Sequence, residues 1–143
     1  MKKAIRIILC VLAMTLFASS CTKSARNTII ISGEWELVHV HTYDAANYAT
    51  PIDTYRPGDL GMRTYYDFVD GGQLVCTDVS SMGLGETISR GTWFVDGSTL
   101  VMTFATGKMT YHVDTANLTD LILFRDYEKL GKNYHEVTTF KKF

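Results

Sequence analysis

His39 and His41 stand two residues apart at the end of "GEWELVHVH", Gly33 to His41. On a strand, alternate residues share a face, so Trp35, Leu37, His39 and His41 form one row. Two imidazoles on one strand face can ligate a metal ion. They can also be hydrogen-bonded polar groups above an apolar cavity. The spacing offers no third ligand beside them, so neither a metal nor a cofactor is expected. The pair is read instead as part of a ligand-binding surface.

The next candidates lie in the stretch that follows, "TYDAANYATPIDTYRPGDLG". Tyr43, Tyr48 and Tyr55 bring large amphipathic contact area. They either pack this loop onto its domain or cover a ligand or partner, and a loop of this length in a compact domain is usually functional. Catalytic signatures are missing: there is no Gly-x-Ser-x-Gly, His-Glu-x-x-His, phosphate loop or dinucleotide fingerprint. The carboxylates are scattered through turns. The expectation is that this is not an enzyme.

The N-terminus fixes an expected address. Lys2, Lys3 and Arg6 precede an apolar run from Ile7 to Phe17, and the small residues Ala18, Ser19 and Ser20 lead to Cys21. The run is short for a bilayer span and reads as a signal peptide over residues 1–20. Small residues ending at a cysteine resemble a bacterial lipobox, which implies cleavage before Cys21 and lipid attachment to it. The mature chain would then keep 11 of the 14 Lys and Arg against 15 Asp and Glu, a net of −4. With no basic cluster, nucleic acid is not an expected partner. Cys10 leaves with the signal and Cys21 carries lipid, so Cys76 has no intramolecular disulfide partner. It reads as a buried small hydrophobe. Residues 21–29, polar and aperiodic from Thr22 to Thr28, read as a lipidated flexible tether. The expected location is the cell envelope, with the protein lipid-anchored to the outer membrane and facing the periplasm.

The elements that must position these residues are strands. Runs rich in β-branched and aromatic residues cover Ile30–His41, Arg63–Val69, Gln73–Val79, Glu86–Val95, Thr99–Ala105, Met109–Thr115, Leu121–Glu128 and Tyr134–Phe143. Turn signals "DGG", "DGS", "TGK", "ANLTD" and "KLGKN" separate them. Outside the signal, no long segment shows a helical period. The class is all-β and antiparallel. In an eight-strand meander the connections alternate between two ends. "DGG", "DGS" and "ANLTD" stitch one end tightly, and the long Thr42–Met62 connection falls at the other. Closing the last strand on the first removes both raw edges. Eight strands make a barrel that side chains can fill or that holds one small ligand.

Gly33-Glu34-Trp35 before the first of eight strands resembles the Gly-x-Trp of lipocalins. A second such triplet, Gly91-Thr92-Trp93, resembles the middle of the small lipocalin-like domains of bacterial lipoproteins. The resemblance spans residues 30–143. It implies an eight-stranded up-and-down barrel with Trp35 plugging the closed end and the long first loop over the open one. It also implies a late cationic side chain over the indole, for which Lys141, Lys142 and Arg125 are all candidates.

Function follows as an expectation: a lipid-anchored protein, tied to the membrane through its N-terminal lipid, that holds a small apolar or amphipathic ligand. The residues expected to line the site are Leu37, His39, His41, Tyr43, Tyr48, Phe68, Leu100, Met102, Phe104 and Tyr111. The alternative is a packed barrel that binds or inhibits another protein through its long first loop. An open internal cavity would favour the first reading, and a filled barrel with an exposed apolar loop patch the second.

Overall fold

The computed structural model describes residues 23–80, 82–83 and 85–143. The expected signal peptide and Cys21 lie outside them. Nine strands occur among the described residues: β1 (Gly33–Asp44), β2 (Asp53–Tyr55), β3 (Met62–Val69), β4 (Gln73–Ser80), β5 (Glu86–Asp96), β6 (Thr99–Phe104), β7 (Gly107–Ala116), β8 (Asp120–Lys129) and β9 (Lys132–Lys142). Each consecutive pair from β3 to β9 is antiparallel, β1 pairs with β3, and β1 also pairs with β9. The result is a closed eight-strand up-and-down barrel made of β1 and β3 to β9, as the turn signals predict. Closure leaves these strands no open edge, which is the usual solution for a long antiparallel meander.

The short turns explain the register. Asp96 pairs with Thr99 around Gly97 and Ser98, and Gly97 has φ 60°. Lys129 pairs with Lys132 around Leu130 and Gly131, both at positive φ. Two-residue turns of this kind match the twist of the strands they join.

The segment read as a flexible tether is different. Residues 23–31 are helical. Ser24 donates to the Val95 carbonyl at 2.7 Å, and the Asn27 amide donates to the Gly97 carbonyl at 2.8 Å. Ile31 is fully buried. A helix that caps the closed end thus takes the place of the tether, and the first strand begins at Gly33 rather than Ile30. The reason is polar as much as apolar: Ser and Asn side chains satisfy carbonyls at the barrel's turns, and Ile31 alone enters the core.

The core sits in the lower barrel. Trp35, Phe68, Leu74, Trp93, Leu100, Met102, Leu121, Leu123 and Phe140 pack together with Ile31. The Trp35 indole N–H donates to the Ile31 carbonyl at 2.7 Å, so its burial strands no donor. Lys142 lies opposite Trp35 on β9, its ammonium 4.4 Å from the ring centroid and 2.7 Å from the Ser32 carbonyl it donates to. Of the three candidate cations, Lys142 is therefore the one on the indole. Lys141 faces outward and pairs with Asp120. Arg125 lies higher in the barrel.

Both Gly-x-Trp glycines have steric reasons. Gly33 has φ +103°, and a Cβ there would stand 2.8 Å from the Lys142 ammonium nitrogen. Gly91 has ordinary φ, but a Cβ would meet the Thr103 carbonyl oxygen at 2.2 Å and the Phe104 ring at 3.0 Å. The second glycine makes room for Phe104 at the point where the packed core gives way to open space.

Candidate functional site

Above the core the barrel opens into a cup of about 300 Å³, lined by Tyr66, Cys76, Ser89, Arg90, Phe104, Ala105, Thr106 and Met109. Register builds it. Tyr66 pairs with Cys76 across β3 and β4, and Cys76 with Ser89 across β4 and β5. Gly91 opposite Phe104 leaves the floor open, and Phe104 pairs with Gly107, which has no side chain to close it. The volume is at the lower end of those typical for small-molecule sites. Burial raises the Tyr66 phenol well above its usual range. Burial, with Asp78 nearby adding to it, pushes the Cys76 thiol up to about 11. Both stay protonated at neutral pH, so the cup offers neutral hydrogen-bonding groups and sulfur beside apolar rings. Arg90, at the rim, has no ion-pair partner among the described residues.

The other half of the upper barrel is closed by an ion pair. Arg125 donates to both carboxylate oxygens of Glu136, Nε at 2.8 Å and Nη2 at 2.9 Å. The guanidinium lies 5.0 Å from the Tyr111 and Tyr127 ring centroids, a cation–π arrangement on two sides. The Tyr111 hydroxyl donates to Glu136 at 3.2 Å. Burial, then the adjacent Glu136 charge, raises the Tyr111 phenol above its usual range. On the neighbouring wall Thr64 donates to Asp78 at 2.6 Å. With both charges of the pair already satisfied by each other, this half of the interior is a structural brace rather than an open ion site.

The ten residues expected to line a ligand site divide into three groups. Phe104 lines the cup. Leu37, Phe68, Leu100, Met102 and Tyr111 point inward but are buried in packed interior. His39, His41, Tyr43 and Tyr48 are not in the interior at all. The cause is a β-bulge: Leu37 pairs with Phe140 but His39 pairs with the next β9 residue, Thr139, leaving Val38 extra. One extra residue inverts every later side chain. Val40 consequently packs against the core, opposite buried Thr138, while His39, His41 and Tyr43 face outward. The expectation that the histidines line the mouth is thus overturned. Tyr48 reaches the same outer face, its ring 4.9 Å from that of His135.

The long loop does stand at the open end. Ala45 donates its N–H to the Asn133 carbonyl beside the β8–β9 turn, far from Asp70 and Asp96. The loop also contains β2, which pairs with Val40, His41 and Thr42 where β3 no longer reaches β1.

Sequence reasoning missed Tyr66, Cys76, Ser89 and Met109 as a set. Counting back by twos from Phe68 and Trp93 finds Tyr66 and Ser89, and that signal was available. Nothing in the sequence marks where the core ends and the cup begins.

No protein-family model matches the chain, and no curated protein is similar to it in sequence. Solved structures do match. A lipocalin-like protein from Bacteroides uniformis is 18% identical with a TM-score of 0.53, covering 80% of this chain and 99% of that one. A protein from Bacteroides eggerthii is 13% identical with a TM-score of 0.55, over 78% of this chain and 98% of its own. Lobster apocrustacyanin A1 is 13% identical with a TM-score of 0.53, over 88% of this chain and 68% of its own. The fold is that of the lipocalin-like barrels.

Proposed function

We propose that this protein is a lipid-anchored binding protein of the cell envelope that holds one small apolar or amphipathic molecule in the cup at the open end of its barrel. The observation that carries the reading is the cup itself. Other clefts on the surface are as large, but this opening of about 300 Å³ stands where Tyr66, Phe104 and Met109 continue the inner face of the barrel above its packed core. Apolar rings favour an apolar body, and Ser89 and Arg90 at the rim favour a polar end in water. The same opening argues for this reading over a solid barrel that acts only through its loop.

Native mass spectrometry of the protein from its own host tests for a co-purifying molecule. A variant locates it: Ser89→Trp places an indole in the cup without touching the core. The expected result is loss of the bound mass and of binding by an environment-sensitive amphiphilic dye, with a melting temperature within a few degrees of the parent. Dye binding unchanged in Ser89→Trp would remove the cup from the proposal.

The anchor rests on sequence and has its own test. Cys21→Ser should move the protein from the membrane pellet to the soluble fraction, because one signal segment is cut away and the remaining chain has no helix among its described residues long and apolar enough to cross a membrane. A variant that stays in the pellet after signal cleavage would show that something else holds it.

A further inference from the structure

The bulge that removes His39 and His41 from the interior brings them together outside it. Their ring centroids are 4.3 Å apart with planes at 45°. Without the bulge the pair would face the core. With it, the two imidazoles stand side by side on an open face of β1, between β2 and β9. From this juxtaposition we infer that His39 and His41 form a chelating site for one divalent transition-metal ion of the copper, nickel or zinc type, with water completing its coordination.

Two features support the assignment. The first is reach. Two rings that each bind one ion through a bond of about 2.0–2.1 Å must stand within a few ångströms of each other, and these centroids are 4.3 Å apart. The second is support behind the ligand. His41 Nδ1 is 2.9 Å from the Thr54 hydroxyl of β2. That contact occupies one ring nitrogen and fixes the ring, leaving Nε2 for a metal, which is how ligating histidines are commonly held. Arg56 lies close enough for its charge to act on His39 and opposes a cation, and Asp59, 3.9 Å from its guanidinium, offsets part of that charge.

Two imidazoles and water suit borderline ions. The Irving–Williams order puts copper(II) first, with nickel(II) and zinc(II) weaker. No group of three or more His, Cys, Asp or Glu among the described residues is placed to hold a metal. Calcium and magnesium, which need several oxygen ligands, should not compete. The site lies outside the barrel and does not depend on the cup's occupant.

The test uses the full chain, expressed without a histidine tag, processed by its host and purified in detergent, titrated with copper(II), nickel(II), zinc(II) and magnesium chlorides. One copper(II) per chain is expected, with a spin-resonance spectrum showing coupling to two imidazole nitrogens. His39→Ala and His41→Ala should each abolish saturable one-to-one binding. Thr54→Val, which keeps both ligands but removes the support, should weaken it about tenfold. His112→Ala and His135→Ala serve as controls and should change nothing. Binding that survives in His39→Ala, that disappears in the controls, or that never saturates near one ion per chain would overturn the site.

Discussion

Replacing Trp35 by Ala should destabilise the barrel by about 3–5 kcal/mol, the usual cost of truncating a large buried aromatic. A domain of this size holds roughly 5–15 kcal/mol in all, and a melting point moves by roughly 4 °C per kcal/mol. The expected fall is therefore on the order of 10–20 °C. The size of the effect comes from three losses at one place. Trp35 has no exposed surface, so its removal leaves a cavity in the floor. The Ile31 carbonyl loses the indole N–H it accepts. Lys142 loses the ring beneath its ammonium, a contact worth about 1 kcal/mol. Trp35→Phe separates these parts, since it keeps most of the volume and loses the hydrogen bond. Lys142→Met isolates the third. A Trp35→Ala melt shifted by only a degree or two would mean that the closed end is held without this residue, by Ser24, Asn27 and Ile31 of the docked helix.

The same closed end shows what the sequence makes legible. Strand positions, turn positions and the end of the barrel carrying the long loop all follow from local patterns, because alternation and Asp-Gly turns are properties of a few adjacent residues. Lys142 over Trp35 follows from pairing. Once Phe140 is known to face inward opposite Leu37, Lys142 shares its side of β9 and Lys141 does not. The Val38 bulge is of another kind. "ELVHVH" alternates well enough on both sides of it, and only the partner strand reveals that Leu37 and His39 meet consecutive residues. That single unseen residue turned His39, His41 and Tyr43 from the inner face to the outer one. β2 escaped notice because three residues are too few to show a period. The docked helix did so because its anchors are Ser24 and Asn27, which in isolation look like linker. The cup was the least legible feature. Its walls continue the same alternation as the core, and Gly91 and Gly107 add no side chains to it.

Glu136→Ala should cost about 3 kcal/mol, near the low end of the range for breaking a buried ion pair. The pair is less than fully enclosed, with Arg125 28% and Glu136 10% exposed, and this keeps the figure from the upper end. What remains after the substitution is a guanidinium between two tyrosine rings with no counter-charge, and a buried Tyr111 hydroxyl without its acceptor. The penalty is that of stranded groups, so it should be relieved by removing both partners. Arg125→Met with Glu136→Leu should recover most of the loss, because a hydrophobic pair of similar volume is often as stable as the ion pair it replaces. Denaturant midpoints for the parent, the two single variants and the double variant close the cycle. If Glu136→Ala alone is harmless, water already screens the pair and the upper barrel is wetter than its packing indicates. If the double variant is stable yet binds the cup's ligand as the parent does, the brace serves only the fold. If it is stable and binding falls, the ion pair shapes the cup by holding Tyr111 away from it, and the ligand's seat depends on a charged pair that never touches it.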